Sequence, residues 1–456
     1  MHLRPYQQQI VRAVVDSVQR DKGLTLSVEM ARQGGKNELS AHLELLLLTL
    51  YMAKGGSIVK CSPTFKPQTL ISIERLKERL DEFGFEAIYH SEVGYILRLG
   101  LAKAVFLSAD VTSSVMGHTA DILLEVDEAQ DVSKDKYTKE FRPMASAFNA
   151  TTILYGTTWD DSTLLEETKQ ANLELQKIDG IQRHFWFDWQ EIAKFNSAYL
   201  NFVESERQRL GENHPLFRTQ YALRSISGAD HLLTRQQIAL AEGVHPRLSS
   251  PQASQVYVAG IDLAGEIEQD KELALASATP RQDSTIITIA RVAEKPATTF
   301  LKEPDISIVE HYQWTGIPHP QLYAQMVSII QKWDLKRVVV DATGIGQPIA
   351  SYLKAQLGRR IIPFVFTAKS KSDLGFDFLA AINSGRLKLY KSDDSVQYRE
   401  MMAELERAKV NYRANQTMNF FVDPSEGHDD FLSSLALAVY AAKDYKPRIA
   451  VGEIRE

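Results

Sequence analysis

The sequence predicts an α/β fold in two parts, and three features predict it. Short apolar runs alternate with segments of helical length from residue 1 to about 165, as they do where crossover helices join the strands of a parallel sheet. A glycine turn ending in lysine sits between the first apolar run and the first long helical segment. Beyond it the proline- and serine-rich stretch His245-Pro-Arg-Leu-Ser-Ser-Pro-Gln-Ala-Ser254 precedes a second set of strands.

The amphipathic segment Tyr6–Val18 is predicted as the first helix, followed by a strand at Leu24–Val28 and a helix at Glu38–Met52. Strands are expected at Ser57–Cys61, Ala104–Leu107, Ile122–Val126 and Thr152–Tyr155, with a helix over Ser72–Phe83. Residues 166–243 change to longer periodic segments, including Trp189–Leu210 and Leu216–Ser225, and read as a mostly helical lid or connector. Residues 244–254 are the expected linker and 255–456 the second part. There Val256–Leu263, Ser284–Val292 and Ile306–Tyr312 follow one another without crossover helices; Arg337–Asp341 and Ile361–Phe366 then alternate with helices. That order resembles the ribonuclease H fold.

In Val28-Glu-Met-Ala-Arg-Gln-Gly-Gly-Lys-Asn37 the glycines let backbone N–H groups wrap a phosphate at a helix start, where the dipole is positive. Gln33, Gly34, Gly35, Lys36 and Asn37 are the candidate phosphate-binding residues, with Lys36 reaching the β- and γ-phosphates of a nucleoside triphosphate. Ile122-Leu-Leu-Glu-Val-Asp-Glu128 reads as a buried strand that delivers two acids at its carboxyl end. Asp127 would hold Mg²⁺, and Glu128 would orient or deprotonate the attacking water. Two residues depart from GxxxxGK[ST]: Met30 stands at the first glycine, and Asn37 replaces the hydroxyl residue. Asn37 could offer a carbonyl oxygen to Mg²⁺ or its water.

A second acidic constellation lies in the later half. Asp262 ends one strand, Asp341 ends another, and His428-Asp429-Asp430 opens the apolar helix Phe431–Ala442. Carboxylates converging from strand ends and a helix start can hold two divalent metals, one activating water and the other stabilising the leaving 3′-oxygen of a phosphodiester. The three residues at 428–430 point about 100° apart, so Asp429 is the first choice, with His428 and Asp430 as partial or supporting ligands. Asp283 reads as a turn residue. Lys369 and Lys371 could contact a phosphate backbone, and Gly344 and Gly346 leave room for close approach beside Asp341.

Composition sets the bounds. A chain of 456 residues exceeds one ordinary core, and 44% hydrophobic with 24% charged residues is the balance of a globular protein. The net charge of −6 argues against a uniformly basic nucleic-acid coat but permits local basic grooves. No apolar run reaches the roughly eighteen residues of a membrane span, and no export pattern opens the chain, so no membrane partner is expected. The lone Cys61 excludes an internal disulfide, fits a reducing compartment and reads as a packed thiol.

Together, an Arg32-Gln33-Gly-Gly-Lys36 loop with an acidic dyad and a ribonuclease H-like acid set resemble one family, the large terminase subunit of tailed double-stranded DNA bacteriophages. The resemblance covers essentially the whole chain. It implies a P-loop ATPase core of the ASCE type over 1–165, a helical lid over 166–243 and a ribonuclease H-like nuclease over 255–456. By the same resemblance Tyr6 stacks on adenine while Gln7 reads its edge, and Arg32 senses the γ-phosphate. Tyr155-Gly-Thr157-Thr158 matches the coupling motif, and Ser62-Pro-Thr64 with Gln68 a helicase-type segment. Arg98 or Arg142 would be the arginine supplied to a neighbouring subunit. The implied cofactors are ATP with Mg²⁺ in the first site and two Mg²⁺ or Mn²⁺ ions in the second.

The implied function is packaging of double-stranded DNA into a procapsid, driven by ATP, with cleavage of concatemeric DNA. The implied partners are the portal protein, a small terminase subunit and further copies in a pentameric ring, with a monomer in isolation. The implied setting is the cytoplasm of the infected bacterium and, transiently, the portal. The competing readings are a helicase-type DNA translocase whose ribonuclease H-like domain does not cleave, and an assembly protein with decayed sites. Intact Lys36, Asp127, Glu128, Asp262, Asp341 and Asp429 argue against decay.

Overall fold

The computed structural model describes residues 3–443 except 111, 114, 116, 227–230, 265–283, 294–302, 318, 345 and 414. Asp283 therefore lies outside the described residues. The chain divides into two compact units, one of Met1–Glu204 with Pro215–Ser227 and one of Ser205–His214 with Gly228–Glu456. Each is described by itself.

Helix α1 (Pro5–Gln19) opens the first unit; β1 (Thr25–Met30) leads into α2 (Lys36–Tyr51), β2 (Gly56–Ser62) and α3 (Leu70–Glu82). The hairpin β3 (Tyr89–Glu92) and β4 (Ile96–Leu99) follows, then β5 (Ala102–Ser108), β6 (Leu123–Val126), β7 (Thr151–Gly156) and β8 (His184–Phe187). The eight strands form one sheet in the order β3-β4-β5-β2-β6-β7-β1-β8. All pairings from β5 to β8 are parallel, and β3 and β4 add antiparallel edge strands. Every residue of β6 and β7 is buried, because a parallel sheet covered on both faces asks for apolar runs rather than alternation. β7 lies between β1 and β6, so one strand separates the phosphate-loop strand from the acid-bearing strand, the order of an ASCE-type ATPase core.

In the second unit β9 (Val256–Asp262), β10 (Ser284–Ala293) and β11 (Asp305–Thr315) form an antiparallel meander. β12 (Arg337–Asp341) and β13 (Ile361–Phe364) pair in parallel beyond β9, and the short β14 (Leu387–Lys388) pairs with β11. The sheet order β13-β12-β9-β10-β11-β14 matches the ribonuclease H-like arrangement expected from the strand sequence. A separate hairpin joins β15 (Lys409–Tyr412) to β16 (Met418–Phe421). The helix Asp430–Ala442 lies on this sheet so closely that a Cβ on Gly260 would sit 2.2 Å from the Ser434 carbonyl oxygen.

Two expected segments differ. Residues 166–243, expected to be mostly helical, also contain a strand: β8 joins the first sheet beside β1, and Trp189–Leu210 is two helices, Trp189–Ala193 and Ser197–Leu210. Residues 244–254 are not a free linker, because the unit boundary falls earlier, near 227. The Leu248 N–H donates to the Val309 carbonyl at 2.9 Å, and Arg247 pairs with Glu310 at 2.5 Å. Proline and serine here set an extended path along β11 rather than a tether. Among the described residues no helix is long and apolar enough to cross a membrane.

Buried histidines make the fold acid-sensitive. Burial holds His214 at about 4 while its ring nitrogen bonds the Phe376 carbonyl at 2.9 Å; burial, with Arg247 beside it, takes His311 to about 3. Both folded values lie below the ordinary 6.5, so the unfolded chain takes up protons first as pH falls. The stability each supplies is intact above about pH 6.5 and is lost towards pH 4 for His214 and pH 3 for His311, depressions that correspond to roughly 3 and 5 kcal/mol. Urea unfolding at pH 7 and pH 4.5 should show a smaller acid loss in His214→Gln than in wild type. An unchanged difference would mean that His214 titrates normally.

Candidate active sites

The first site forms where β1 ends. Met30 is fully buried because it is still a strand residue packed into the core, which explains why the position tolerates a large side chain. The chain then turns through left-handed backbone at Gln33 (φ 60°) and Gly35 (φ 93°). A Cβ on Gly34 would lie 2.8 Å from the Ala31 carbonyl oxygen, so glycine is required there for space, and at Gly35 for the left-handed turn. Side chains outside the loop fix its carbonyls. Tyr6 Oη donates to Gly34 O at 2.7 Å, Gln7 Nε2 to Gly35 O at 3.0 Å and Tyr199 Oη to Arg32 O at 3.0 Å.

In this structure the two residues expected at adenine are turned to the loop and the core. Tyr6 is buried, with its ring centroid 5.3 Å from Phe187 and 5.8 Å from Phe195, and Gln7 is buried as well. Neither presents a face to a base in this conformation; both brace the phosphate loop. Arg32 and Gln33 are exposed at the loop, while Lys36 and Asn37 occupy the first turn of α2.

Lys36 Nζ lies 3.1 Å from Glu128 Oε1, so the loop and the acid-bearing strand meet. Asp127 is buried, its N–H bonded to Cys61 O at 2.8 Å, and burial raises its carboxyl. Burial also pushes Glu128 upward, but Lys36 and a Gln130 hydrogen bond outweigh it and hold the carboxylate below its usual range. Glu128 adopts left-handed backbone (φ 46°), unusual for a non-glycine residue. Gln130 was not foreseen. Its Nε2 donates to Glu128 Oε2 at 2.7 Å and its Oε1 accepts the Thr157 N–H at 3.2 Å, tying the acid to the Tyr155-Gly-Thr-Thr158 motif. Thr158 Oγ1 in turn donates to Glu29 Oε1 at 2.8 Å.

Behind this face Lys60 Nζ is buried against Glu44 Oε1 (3.0 Å) and Ser40 Oγ (2.7 Å), and Ser40 also bonds Glu125. The group ties α2 to β2 and β6. Burial raises Glu125 to about 8, with Glu44 adding to the rise. Cys61 is the packed thiol expected, raised by burial. Of the two arginine candidates, Arg98 is paired with Glu92 across the β3-β4 hairpin at 2.6 Å, whereas Arg142 is exposed.

The second site collects the acids named from the sequence. β9 and β12 run side by side with Ile261 opposite Val340, so Asp262 and Asp341 end adjacent strands. Asp341 Oδ1 accepts the Thr343 N–H at 2.8 Å, and burial raises its carboxyl. Burial raises Asp262 well above its ordinary value, and Asp430, Asp341, Asp429 and Glu404 add to the rise in that order. Asp430 therefore bears on Asp262 more than Asp429 does. Asp430 Oδ2 also accepts the Ser284 N–H at 2.7 Å.

Lys371 Nζ stands 4.0 Å from Asp429 Oδ2 and 5.0 Å from the Phe420 ring centre, so it faces the acids. Lys369 is exposed. A cleft of about 570 Å³ opens beside the cluster, lined by Glu404, Arg407, His428 and Asp430 among others. All-oxygen donors suit Mg²⁺ or Mn²⁺. Among the described residues, however, no three His, Cys, Asp or Glu side chains stand close enough to hold one ion, so the expected three-ligand grip is not preformed.

Residues 276–442 match the family described as the terminase ribonuclease H-like domain. No curated protein matches the chain. The large terminase of a thermophilic bacteriophage, in one crystal form, is 13% identical over 97% of this chain and 98% of its own, with a TM-score of 0.55. The same phage protein in complex with ADP gives 12% identity, 96% and 98% coverage and a TM-score of 0.54. Its complex with ATP-γ-S gives 13%, 96%, 99% and 0.52. At this identity the likeness is one of fold, and it spans both units. The chain thus carries a terminase ribonuclease H-like domain within the two-domain α/β fold of a phage large terminase subunit.

Proposed function

We propose that this chain couples ATP hydrolysis to translocation of double-stranded DNA into a viral capsid and cuts that DNA by phosphodiester hydrolysis. The observation that carries the reading is the meeting of Lys36 with Glu128 at 3.1 Å in a terminase-like fold whose second unit gathers Asp262, Asp341, Asp429 and Asp430.

In the first site Lys36 exchanges Glu128 for the β- and γ-phosphate oxygens. Glu128 then takes a proton from the attacking water as the new bond to the γ-phosphorus forms and the bond to the β–γ bridging oxygen breaks, giving ADP and phosphate. Asp127 and Asn37 would hold Mg²⁺, which would supply charge neutralisation at the phosphates. Gln130 keeps Glu128 aimed and passes its position to Thr157, and Arg32 and an Arg142 from a neighbouring copy face the γ-phosphate. In the second site Asp262, Asp341 and Asp430, with Asp429 and His428 in support, would hold two divalent cations, which would supply an activated water and charge stabilisation for the leaving 3′-oxygen. Lys371 meets a phosphate oxygen at the edge of the cluster. In this reading the chain works in the infected host's cytoplasm as a ring on the portal, with a small subunit that selects the genome.

The lack of a preformed three-ligand grip among the described residues favours a second reading, a DNA translocase whose ribonuclease H-like unit does not cleave. One experiment separates the two. The purified chain is assayed for ATP turnover with and without linear duplex DNA, and for cutting of supercoiled plasmid with Mg²⁺ or Mn²⁺. Duplex-stimulated turnover together with cation-dependent cutting is the expected result. Turnover without cutting under either cation would leave the translocase, and neither activity would overturn both readings.

A further inference from the structure

The helix Asp430–Ala442 carries two of the acids of the second site at its start, and its position is fixed from several sides. Gly260 on β9 lets the helix backbone approach to contact, and Thr288 Oγ1 lies 2.7 Å from Ser434 Oγ. Those contacts fix the helix against the sheet but not the path of its first turn. The first intrahelical bond runs from the Ser433 N–H to Asp429 O at 2.8 Å, so the N–H groups before it need acceptors from outside the helix. An aspartate at the N-cap ordinarily supplies one with its own side chain. Asp429 does not: its backbone lies at φ −117°, ψ 24°, and its side chain makes no cap hydrogen bond.

The acceptor comes from another helix. Glu404, in Val396–Arg407, receives the Leu432 N–H on Oε2 at 2.9 Å and also accepts the Phe431 N–H. Met401 and Leu405, on either side of it, are buried and anchor that helix in the core. We infer that Glu404 is a positioning residue, which caps the acid-bearing helix from outside and so lets the Asp429 and Asp430 carboxylates be directed at the cation site instead of at their own backbone. The inference rests on the nuclease reading for its consequence but not for the cap itself. Residues that orient metal ligands typically change affinity by about 10- to 100-fold when lost.

The test uses the full chain with Glu404→Gln and Glu404→Met. Glutamine keeps a carbonyl oxygen that can accept both N–H groups; methionine has about the same length and no such acceptor. Hydrogen exchange is read at the Phe431 and Leu432 amides, and Mn²⁺ affinity is read by calorimetry. The expected result is faster exchange at those amides and at least 10-fold weaker Mn²⁺ binding in Glu404→Met, with both restored to within about threefold of wild type in Glu404→Gln. Unchanged amide protection in Glu404→Met overturns the cap. Equal loss of Mn²⁺ in both variants, with protection kept in Glu404→Gln, overturns the positioning role in favour of a direct ligand. Wild type that binds no Mn²⁺ sinks the nuclease reading, and the amide data still decide the cap.

Discussion

Lys36→Ala should lower ATP turnover by roughly 100- to 1000-fold, the scale on which loss of one preorganised charge contact to a transition state is felt. The Lys36 ammonium is enclosed, with about 10% of its side chain exposed, and among the described residues no other lysine stands in the loop to replace it. The same substitution should weaken nucleotide binding, because Lys36 meets the phosphates in the ground state too. Glu128→Gln should match it in turnover but keep nucleotide binding near wild type, since glutamine retains the Gln130 contact and cannot take a proton. Turnover and the affinity of a fluorescent ATP analogue, measured on both variants, separate the two roles. Wild-type turnover in Lys36→Ala would remove the phosphate loop from the mechanism. Plasmid cutting should be unaffected by either change, since the acids of the second unit do not depend on this pair.

The parts of both sites that were legible in the sequence are those whose chemistry is local. Gly34 and Gly35 stand out because close packing at the one and a left-handed turn at the other need glycine, and Asp262 and Asp341 because each ends an apolar strand. The core strands were readable for the same reason: buried parallel strands such as β6 and β7 are mostly apolar runs without alternation. What escaped was set by distant partners. Tyr199 and Glu404 sit in ordinary amphipathic helices, and nothing beside them in sequence tells that one braces the Arg32 carbonyl and the other caps a helix. Tyr6 and Gln7 are base contacts by family resemblance alone, and their burial, set by distant partners, does not show in the sequence. One signal was present and unused. Glu44, Lys60 and Glu125 each interrupt an apolar segment, and buried charges of opposite sign must find one another; the structure brings these three together. The edge strand β8 was lost to its helical surroundings, since a four-residue strand has too little pattern to stand out.

Asp262→Asn should abolish plasmid cutting, a fall of at least about 1000-fold, while leaving ATP turnover within about twofold of wild type. Asp262 is the residue on which the influences of Asp430, Asp341, Asp429 and Glu404 converge, so it is the centre of the cluster. Its replacement has a second consequence that a simple loss of function does not predict. Burial, with the neighbouring acids adding to it, opposes ionisation of the Asp262 carboxyl, so the fold must hold a proton there that the unfolded chain releases at neutral pH, and asparagine keeps the shape of aspartate without that cost. The metal-free variant should therefore melt above metal-free wild type. Added Mn²⁺ should raise the melting temperature of wild type, because an ion bound only by the folded state stabilises it by mass action, and should leave the variant nearly unmoved. The order of the two melting curves thus reverses on adding cation. A variant that melts lower than wild type without metal would mean that Asp262 is held by hydrogen bonds rather than opposed by its neighbours. A Mn²⁺ shift that survives in the variant would move the cation site to Asp341 and the 428–430 turn.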